Sequence, residues 1–225
     1  MKKFNSGKSI INKVFTTFTV SILCFNLTAQ NNYQEAMQKA LDRRSTADTI
    51  TDWLGIAAQF ERIADVETNN WLPLYYTSES YCELSFMSPE TEDKQKYIEL
   101  SQNKLDMALK IAPNESELFT LQGLIYLAAI SVDPMVNGQI YMPKLSRSLQ
   151  TAMAIDSTNP RPVYLQALSI FYTPEQFGGG GQIALPLFEK SLYLFNNFET
   201  KGTFYPDWGH QACSDMITRI NNNQQ

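Results

Sequence analysis

The sequence predicts an all-α fold: a right-handed α-solenoid of about four helix pairs, with one further helix capping its C-terminal end. Two observations predict it, a helical surface pattern that repeats at near-constant spacing and turn residues that separate the copies. The pattern places apolar or small residues at offsets i, i+4, i+7 and i+8, which lie on one face of a helix. The four copies are Ile56, Phe60, Ile63 and Ala64; Ser101, Leu105, Ala108 and Leu109; Leu145, Leu149, Ala152 and Met153; and Ala184, Phe188, Ser191 and Leu192.

The spacing between corresponding residues of the copies is nearly constant. Phe60, Leu105, Leu149 and Phe188 are separated by 45, 44 and 39 residues. A period of this size is typical of helical solenoids, in which each repeat buries its apolar face against its neighbours. Such proteins mostly bind partners through extended surfaces, so the period favours a binding protein over an enzyme.

Capping residues divide the chain into nine predicted helices. The capping candidates are Asp48 or Thr49, Asn69-Asn70 and Asn159, each of which precedes an apolar periodic segment and can accept a hydrogen bond from the first turn of a helix. A polar tail from Asn221 to Gln225 is expected to fray. The predicted helices cover about residues 32–44, 49–66, 71–86, 91–111, 116–130, 143–156, 160–172, 183–196 and 207–220.

Two segments between helices contain turn-forming residues. Residues 133–138 combine Asp-Pro with Asn-Gly, which predicts an irregular insertion followed by a helix with Pro143 in its first turn. Residues 178–181 are four consecutive glycines, but the Lys-Ser/Thr ending of a phosphate-binding loop is missing. We therefore predict a flexible loop between helices, which can also act as a lid or rim over a groove. The next helix is expected to start near Ile183, so that Pro186 lies in its first turn.

The N-terminus is typical of an export signal. Four lysines precede an apolar stretch over residues 14–25 that is too short to span a membrane, and Leu27-Thr28-Ala29 offers a small residue at the cleavage position. We expect a signal peptide over residues 1–29 and a periplasmic or secreted protein without membrane insertion after cleavage. The alternative is a lipoprotein modified at Cys24, although Leu23 is larger than such a signal prefers.

The charge of the mature chain excludes some classes of partner. Without the four lysines of the signal peptide, 14 basic residues stand against 23 acidic ones, a net charge of −9. Nucleic-acid binding requires a basic face, and anionic membrane surfaces attract basic segments, so neither partner is expected. The remaining residues 30–225 suit one domain with a sizeable core.

The two cysteines of the mature chain allow two interpretations. An exported protein can pair Cys82 with Cys213. The alternative is two small buried hydrophobic residues, since the cysteines lie in an early repeat and in the last helix, and solenoid repeats contact only their neighbours.

No catalytic or metal site is predicted. His210 is the single histidine, and no nucleophile motif accompanies it. Glu79 and Glu83 share a helix face, but nothing nearby in sequence separates their pKa values as acid–base catalysis requires. One histidine and two distant cysteines do not form a zinc site. We expect a non-enzymatic protein without a cofactor.

The repeats also align with one another. A shift of 44 residues places Ala108 on Ala152 and Leu121 on Leu165, and Gly123 and Ala167 stand where two helices approach closely. The positions of these small and large residues within each repeat resemble those of the tetratricopeptide repeat (TPR) family. The resemblance extends over nearly all of residues 30–225, although the period is longer than usual for that family. It is also similar to exported bacterial proteins of that kind, in strings such as Asn159-Pro160-Arg161 and Pro206-Asp207-Trp208-Gly209.

The resemblance implies where a binding surface lies. In TPR proteins the concave surface is lined by one face of the first helix of each pair. The equivalent positions here are Leu72, Tyr75, Glu79 and Cys82; Glu117, Thr120, Leu124 and Leu127; and Arg161, Tyr164, Leu168 and Phe171. The candidate partner- or ligand-binding residues among them are Leu72, Tyr75, Glu79, Thr120, Arg161 and Tyr164. The alternative is that several of these side chains pack between tight repeats.

Two functions remain open at this point. The first is an exported scaffold that binds a peptide or a partner protein on the concave face. The second is a small-ligand-binding helper of a transport system, resembling the TPR component of TRAP-type transporters, which can enclose an apolar pore. A closed, lined cavity favours the second function, whereas an open groove favours the first.

Overall fold

The computed structural model describes residues 30–222, and its regular elements within this range are helices, without a strand. The predicted signal peptide, its cleavage site and Cys24 lie outside the described residues. One 3₁₀ turn, Glu175–Phe177, follows the seventh helix. The helices are α1 (30–44), α2 (Ile50–Val66), α3 (Trp71–Met87), α4 (Thr91–Ile111), α5 (Ser116–Val132), α6 (Pro134–Ile155), α7 (Pro160–Phe171), α8 (Gly181–Asn196) and α9 (His210–Asn222).

Consecutive helices pack against each other, which confirms the all-α prediction. α3 packs on α4, α5 on α6 and α7 on α8, while α2 also contacts α3 and α9 packs on α8. The repeating face of α2, α4, α6 and α8 forms the seam of these pairs, hereafter the helix-pair seam. In every copy the first three members are buried and the fourth is half-buried.

Side-chain caps set several helix starts where the sequence predicts them. Thr49 accepts a hydrogen bond from the backbone of Asp52 at 3.1 Å, and Asn70 accepts one from Leu72 at 3.1 Å. These caps satisfy amide groups that have no partner within the helix.

Small residues allow close helix approach at the predicted positions. A Cβ atom added to Gly123 in α5 would lie 2.6 Å from Cδ2 of Leu149 in α6, so no larger residue fits there without movement. Ala152 and Ala167 are fully buried. The sequence pattern therefore identified the packing positions correctly.

The predicted irregular insertion at residues 133–138 is wrong. Helix α6 begins at Pro134 and continues to Ile155, with Pro143 inside it and not in its first turn. Asp133 explains the early start, because its side chain accepts a hydrogen bond from the backbone of Val136 at 3.1 Å and Pro134 suits the first helical position. Asn137 is also fixed, since its side-chain amide donates to the carbonyl oxygen of Ala129 at 2.8 Å.

Helix α8 likewise begins at Gly181, two residues before the predicted start, and Pro186 lies inside it. Proline at these two interior positions, 143 and 186, removes one backbone hydrogen bond from each helix.

The connection between α8 and α9, residues 197–209, crosses back over the N-terminal helices. Buried apolar residues of α1–α5 form the first hydrophobic cluster, and those of α6–α9 form the second. Phe204 packs with the first cluster, and its carbonyl oxygen accepts a hydrogen bond from the hydroxyl of Tyr76 at 3.0 Å. Lys201 forms a salt bridge of 2.7 Å with Asp156 at the end of α6. The expectation that repeats contact only their neighbours is therefore wrong for this connection.

Both cysteines are buried and free. Cys82 belongs to the first hydrophobic cluster and Cys213 to the second. The thiol of Cys213 donates to the carbonyl oxygen of Phe188 at 3.2 Å. The interpretation as two small buried hydrophobic residues therefore describes them, and the disulfide does not form.

A search of residues 30–222 finds no helix that is long and apolar enough to cross a membrane.

Candidate functional site

A cavity of about 950 Å³, hereafter the central cavity, lies between α3, α5, α6 and α7. Small-molecule sites usually enclose about 300–1,000 Å³ and are largely apolar, so this cavity has room for a large organic ligand. Its wall is mainly aliphatic, with further contributions from aromatic side chains and methionines. The aliphatic and methionine residues include Leu124, Leu127, Ile130, Met135, Met142, Leu165 and Leu168.

The lining residues become more exposed towards the C-terminal ends of the helices. Along α3, Glu79 is 2% exposed, Glu83 is half-buried and Phe86 is 41% exposed. Along α7, exposure rises from 7% at Tyr164 to 68% at Tyr172. The cavity is therefore a well with its floor near Glu79 and Tyr164 and its mouth where α3, α5 and α7 end.

Exposed apolar side chains surround the mouth. Phe86, Met135, Tyr172 and Phe177 all line the cavity and all expose large apolar surfaces. Contiguous exposed apolar surface on a soluble protein usually marks a binding site, because leaving it in water is unfavourable.

The glycine-rich loop directly follows Phe177, a residue of this mouth. Gly178 and Gly180 have φ angles of 83° and 103°, which only glycine adopts readily. The backbone amide of Gly180 donates to the carbonyl oxygen of Ile170 at 2.9 Å, which folds the loop back onto α7. Phe177, which directly precedes the glycines, lines the rim, whereas residues 178–181 are not among the lining residues, so the rim function of the glycine loop stays a prediction.

An ion pair occupies the floor. Arg44 of α1 donates from Nε to Glu79 Oε2 at 2.7 Å and from Nη2 to Oε1 at 2.5 Å. Such two-bond pairs between a guanidinium and a carboxylate have fixed geometry and are stronger than neutral hydrogen bonds. The pair therefore fixes both side chains against the cavity, and Arg44 also lies 5.8 Å from the ring centre of Tyr76.

A second carboxyl group lines the cavity one turn above this pair. Burial, followed by the charge of Glu79, raises the pKa of Glu83 to about 7, and Arg44 only partly opposes the rise. No hydrogen bond or salt bridge from residues 30–222 reaches this carboxyl group. Glu83 is therefore an unpaired acid in a mostly apolar wall.

A buried polar network supports the floor from below. Arg161 donates to Glu117 Oε1 at 2.9 Å and to the carbonyl oxygens of Trp208, at 3.0 Å, and Pro206. Trp208 in turn donates from its indole nitrogen to the hydroxyl oxygen of Tyr75 at 2.7 Å. The network thereby fixes the 197–209 connection against α3, α5 and α7, and Trp208 completes the cavity wall.

The acid of this network is fully buried. Burial raises the pKa of Glu117 to about 7 against the opposing charge of Arg161. Asn159 donates to the same oxygen as Arg161, at 2.9 Å, whereas the other oxygen of Glu117 has no hydrogen-bond partner. These groups are enclosed below the cavity, so their role is to hold the connection in place.

The structure brings only some of the sequence-predicted residues to the cavity. Glu79 and Tyr164 line it, as do Leu124, Leu127 and Leu168 of the predicted concave face. Leu72 instead lines a separate cavity of about 450 Å³ beside residues 201–205.

The other three candidates are buried away from the cavity. Tyr75 and Arg161 belong to the polar network, and the hydroxyl of Thr120 donates to the carbonyl oxygen of Ser116 at 2.9 Å. Their exclusion has a physical reason: the 197–209 connection covers Tyr75 and Arg161, and the hydroxyl of Thr120 bonds within α5.

Sequence reasoning missed most of the mouth and part of the floor. Arg44, Phe86, Met135, Tyr172 and Phe177 line the cavity but were not among the candidates. Tyr172 continues the spacing of Tyr164 and Leu168 by one helical turn, so extending that face would have found it. No local pattern predicts Arg44, which reaches Glu79 from 35 residues away.

Comparison with known proteins finds a substantial match to a solved structure. The solved structure of the HusA haemophore from Porphyromonas gingivalis is 30% identical in sequence, and the match covers 86% of this chain and 94% of that one, with a TM-score of 0.75. A thermophilic TPR protein from Thermus thermophilus aligns over 85% of this chain and 98% of its own at 15% identity and a TM-score of 0.44. No protein-family model and no curated protein sequence matches the chain. The TPR resemblance therefore stays a prediction.

Proposed function

The chain belongs to the same family as the HusA haemophore, and we propose that it is a non-enzymatic binding protein that holds a haem-like tetrapyrrole in the central cavity. One observation carries the proposal: the cavity has about 950 Å³ and a mainly apolar wall. A tetrapyrrole is a large planar molecule with two apolar faces, and removing such faces from water contributes about 25 cal/mol per Å² of buried apolar surface.

The charges of the cavity suggest how the ligand is oriented. The inner end of the cavity has two carboxyl groups, Glu79 and Glu83, but one guanidinium, Arg44, among the described residues. Arg44 is already paired with Glu79. An anionic group inserted there would find no free cation from residues 30–222 in surroundings of low polarity. The ligand therefore enters with an uncharged edge first and keeps its carboxylates in the solvent at the mouth.

Recognition in this proposal rests on the macrocycle more than on its metal. In haem proteins the iron is held by histidine, by a cysteine thiolate, by methionine together with histidine, or by tyrosine. Among residues 30–222, the cavity is lined by methionines and tyrosines but by no histidine or cysteine. Burial raises the pKa of Tyr164, which disfavours a phenolate at the floor. We expect iron-free protoporphyrin IX to bind within a few-fold of the affinity of haemin.

The proposal includes export. The signal peptide expected over residues 1–29 would release a periplasmic or secreted protein, and a carrier of tetrapyrroles outside the cytoplasm needs such a route. N-terminal sequencing of the protein recovered outside the cytoplasm should begin at Gln30; a protein retained with residue 1 would contradict this part of the proposal.

Titration with haemin, followed by visible absorbance, tests the binding function. Leu168→Glu adds a charge to the cavity wall and should weaken binding at least tenfold, because the apolar ligand would face an unpaired carboxylate. Leu187→Glu is the matched control, since Leu187 is also half-buried but lies on α8 outside the cavity. Equal affinities of both folded variants would contradict the assignment of the site.

A peptide or protein partner is the second candidate function. Its support is the exposed apolar mouth, to which Met135 and Phe177 contribute. The burial of Tyr75, Thr120 and Arg161 weakens it, because an open concave groove would expose them. Crosslinking outside the cytoplasm tests it: a protein partner lost on Phe177→Ala but retained on Tyr193→Ala would favour this function, and no partner would count against it.

A further inference from the structure

Glu83 holds an unusual position in the central cavity. It stands on α3 midway between the ion-paired Glu79 and the exposed Phe86, and all three side chains line the cavity. Both oxygens of Glu79 already accept hydrogen bonds from Arg44, so the guanidinium is occupied by Glu79. An ionised Glu83 therefore faces an apolar wall without a partner from the described part of the chain, which is unfavourable.

Few other groups in the cavity change charge near neutral pH. Glu79 on α3, Arg44 from α1 and Tyr164 from α7 face Glu83, and Cys82 is its neighbour in the chain. Burial raises the pKa values of Tyr164 and Cys82 above their usual values, so both stay neutral near pH 7. Burial and the charge of Glu79 raise the pKa of Glu83 to about 7, so this carboxyl group does change charge near neutral pH.

We propose that Glu83 makes ligand binding in the central cavity pH-dependent: the cavity holds its apolar ligand while this carboxyl group is protonated and releases it when the group ionises. The inference rests on the proposed function and adds a specificity-determining residue to it. The inference depends on the charge and the position of Glu83, which is the unpaired acid of the wall that the ligand would contact.

The direction of the effect follows from desolvation. An apolar ligand against Glu83 removes its remaining water, which costs the ionised form more than the neutral one. The pKa of Glu83 is therefore higher in the complex than in the free protein, where it is about 7. By linkage, affinity is highest below pH 7 and falls as the pH rises through that value, by at most about tenfold per pH unit.

Haemin titrations between pH 6 and 8.5 test the inference on the wild type, Glu83→Gln and Glu189→Gln. Glu83→Gln keeps the size of the side chain but cannot ionise, so its affinity relative to the wild type should rise by up to about tenfold per pH unit above pH 7. Glu189 lies exposed on α8 outside the cavity, and Glu189→Gln should follow the wild type. The ratio between variants at each pH cancels the titration of haemin itself.

The possible outcomes separate the inference from the function on which it rests. Saturable binding with the same pH profile for the wild type and Glu83→Gln would overturn the role of Glu83 and leave the proposed function in place. No saturable binding at any pH would overturn both.

A second measurement uses the wild type alone, in case Glu83→Gln does not fold. Calorimetry at pH 7.5 in buffers of different ionisation enthalpy should show uptake of up to about one proton per bound protoporphyrin IX. Binding without proton uptake would overturn the inference.

Discussion

The helix-pair seam and the central cavity use the same helices in opposite ways. The seam fully buries regularly spaced side chains such as Ala108 and Phe188, whereas much of the cavity wall, including Met142 and Leu168, stays partly exposed. Close packing favours one rigid arrangement, and a well lined by flexible apolar residues can accept a ligand. The difference indicates that stability resides in the seam and binding in the wall.

Substitution of phenylalanine in the two regions should separate stability from binding most clearly. Phe188 is fully buried in the seam, and Phe188→Ala should lower the free energy of unfolding by about 3–5 kcal/mol. Phe177 is exposed at the mouth, so Phe177→Ala should change the free energy of unfolding by less than about 1 kcal/mol, while it should weaken haemin binding. Urea denaturation measures the free energy of unfolding of the two variants. A similar loss of stability in both would contradict the comparison.

Two helical glycines make a finer test. Gly123→Ala would place a methyl group against Leu149 and should destabilise the protein by about 1–3 kcal/mol. Gly138 lines the cavity, and a Cβ added there meets no atom within 4 Å, so Gly138→Ala should stabilise the helix by about 0.5–1 kcal/mol. Thermal denaturation followed by circular dichroism should show a lower Tm for Gly123→Ala and a higher Tm for Gly138→Ala. Shifts of the same sign would contradict the difference in packing between the seam and the cavity wall.

Two equally exposed tyrosines test the mouth. Tyr172 and Tyr193 are each 68% exposed, but only Tyr172 lines the cavity. Tyr172→Ala should weaken haemin binding by about tenfold, equivalent to about 1.4 kcal/mol, because it removes an aromatic contact at the mouth. Tyr193→Ala should leave the affinity unchanged. A loss in both variants, measured by titration, would mean that the effect is not local.

The smallest expected effect concerns stability against pH. The pKa of Glu83 in the folded protein, about 7, is above its usual value of 4.5, so folding favours the protonated form. This contribution is fully present below about pH 4.5 and is lost as the pH rises through 7. Denaturation between pH 5 and 8 should therefore show a smaller decrease in stability for Glu83→Gln than for the wild type. Parallel curves would show that Glu83 is not desolvated in the folded protein.

The seam could be predicted from sequence because it depends on local periodicity. Leu105 and Leu149 occupy the positions that their spacing assigns, and the closeness of Gly123 to α6 follows from its lack of a side chain. The irregular segment at 133–138 was mispredicted because Asp-Pro and Asn-Gly usually mark turns, whereas here Asp133 caps a helix that continues through both.

The cavity could be predicted only in part because it depends on contacts between distant segments. Glu79 and Tyr164 lie on the face that the TPR resemblance assigns, and both reach the cavity. Arg161 was predicted as a binding residue because it lies on the face that the TPR resemblance assigns, but the 197–209 connection returns to enclose it. The same long-range contacts give Glu79 and Glu83 different surroundings, which their spacing along one helix does not reveal.

The central claim is that a tetrapyrrole binds inside the central cavity, and the methionine methyl groups report on it most directly. Met135 and Met142 line the cavity, while Met107 is exposed on α4 away from it. Methyl NMR during titration with protoporphyrin IX should show large ring-current shifts for Met135 and Met142 that saturate at one ligand per chain, with Met107 unchanged. Shifts at Met107 of similar size, or none at Met135 and Met142, would contradict the account.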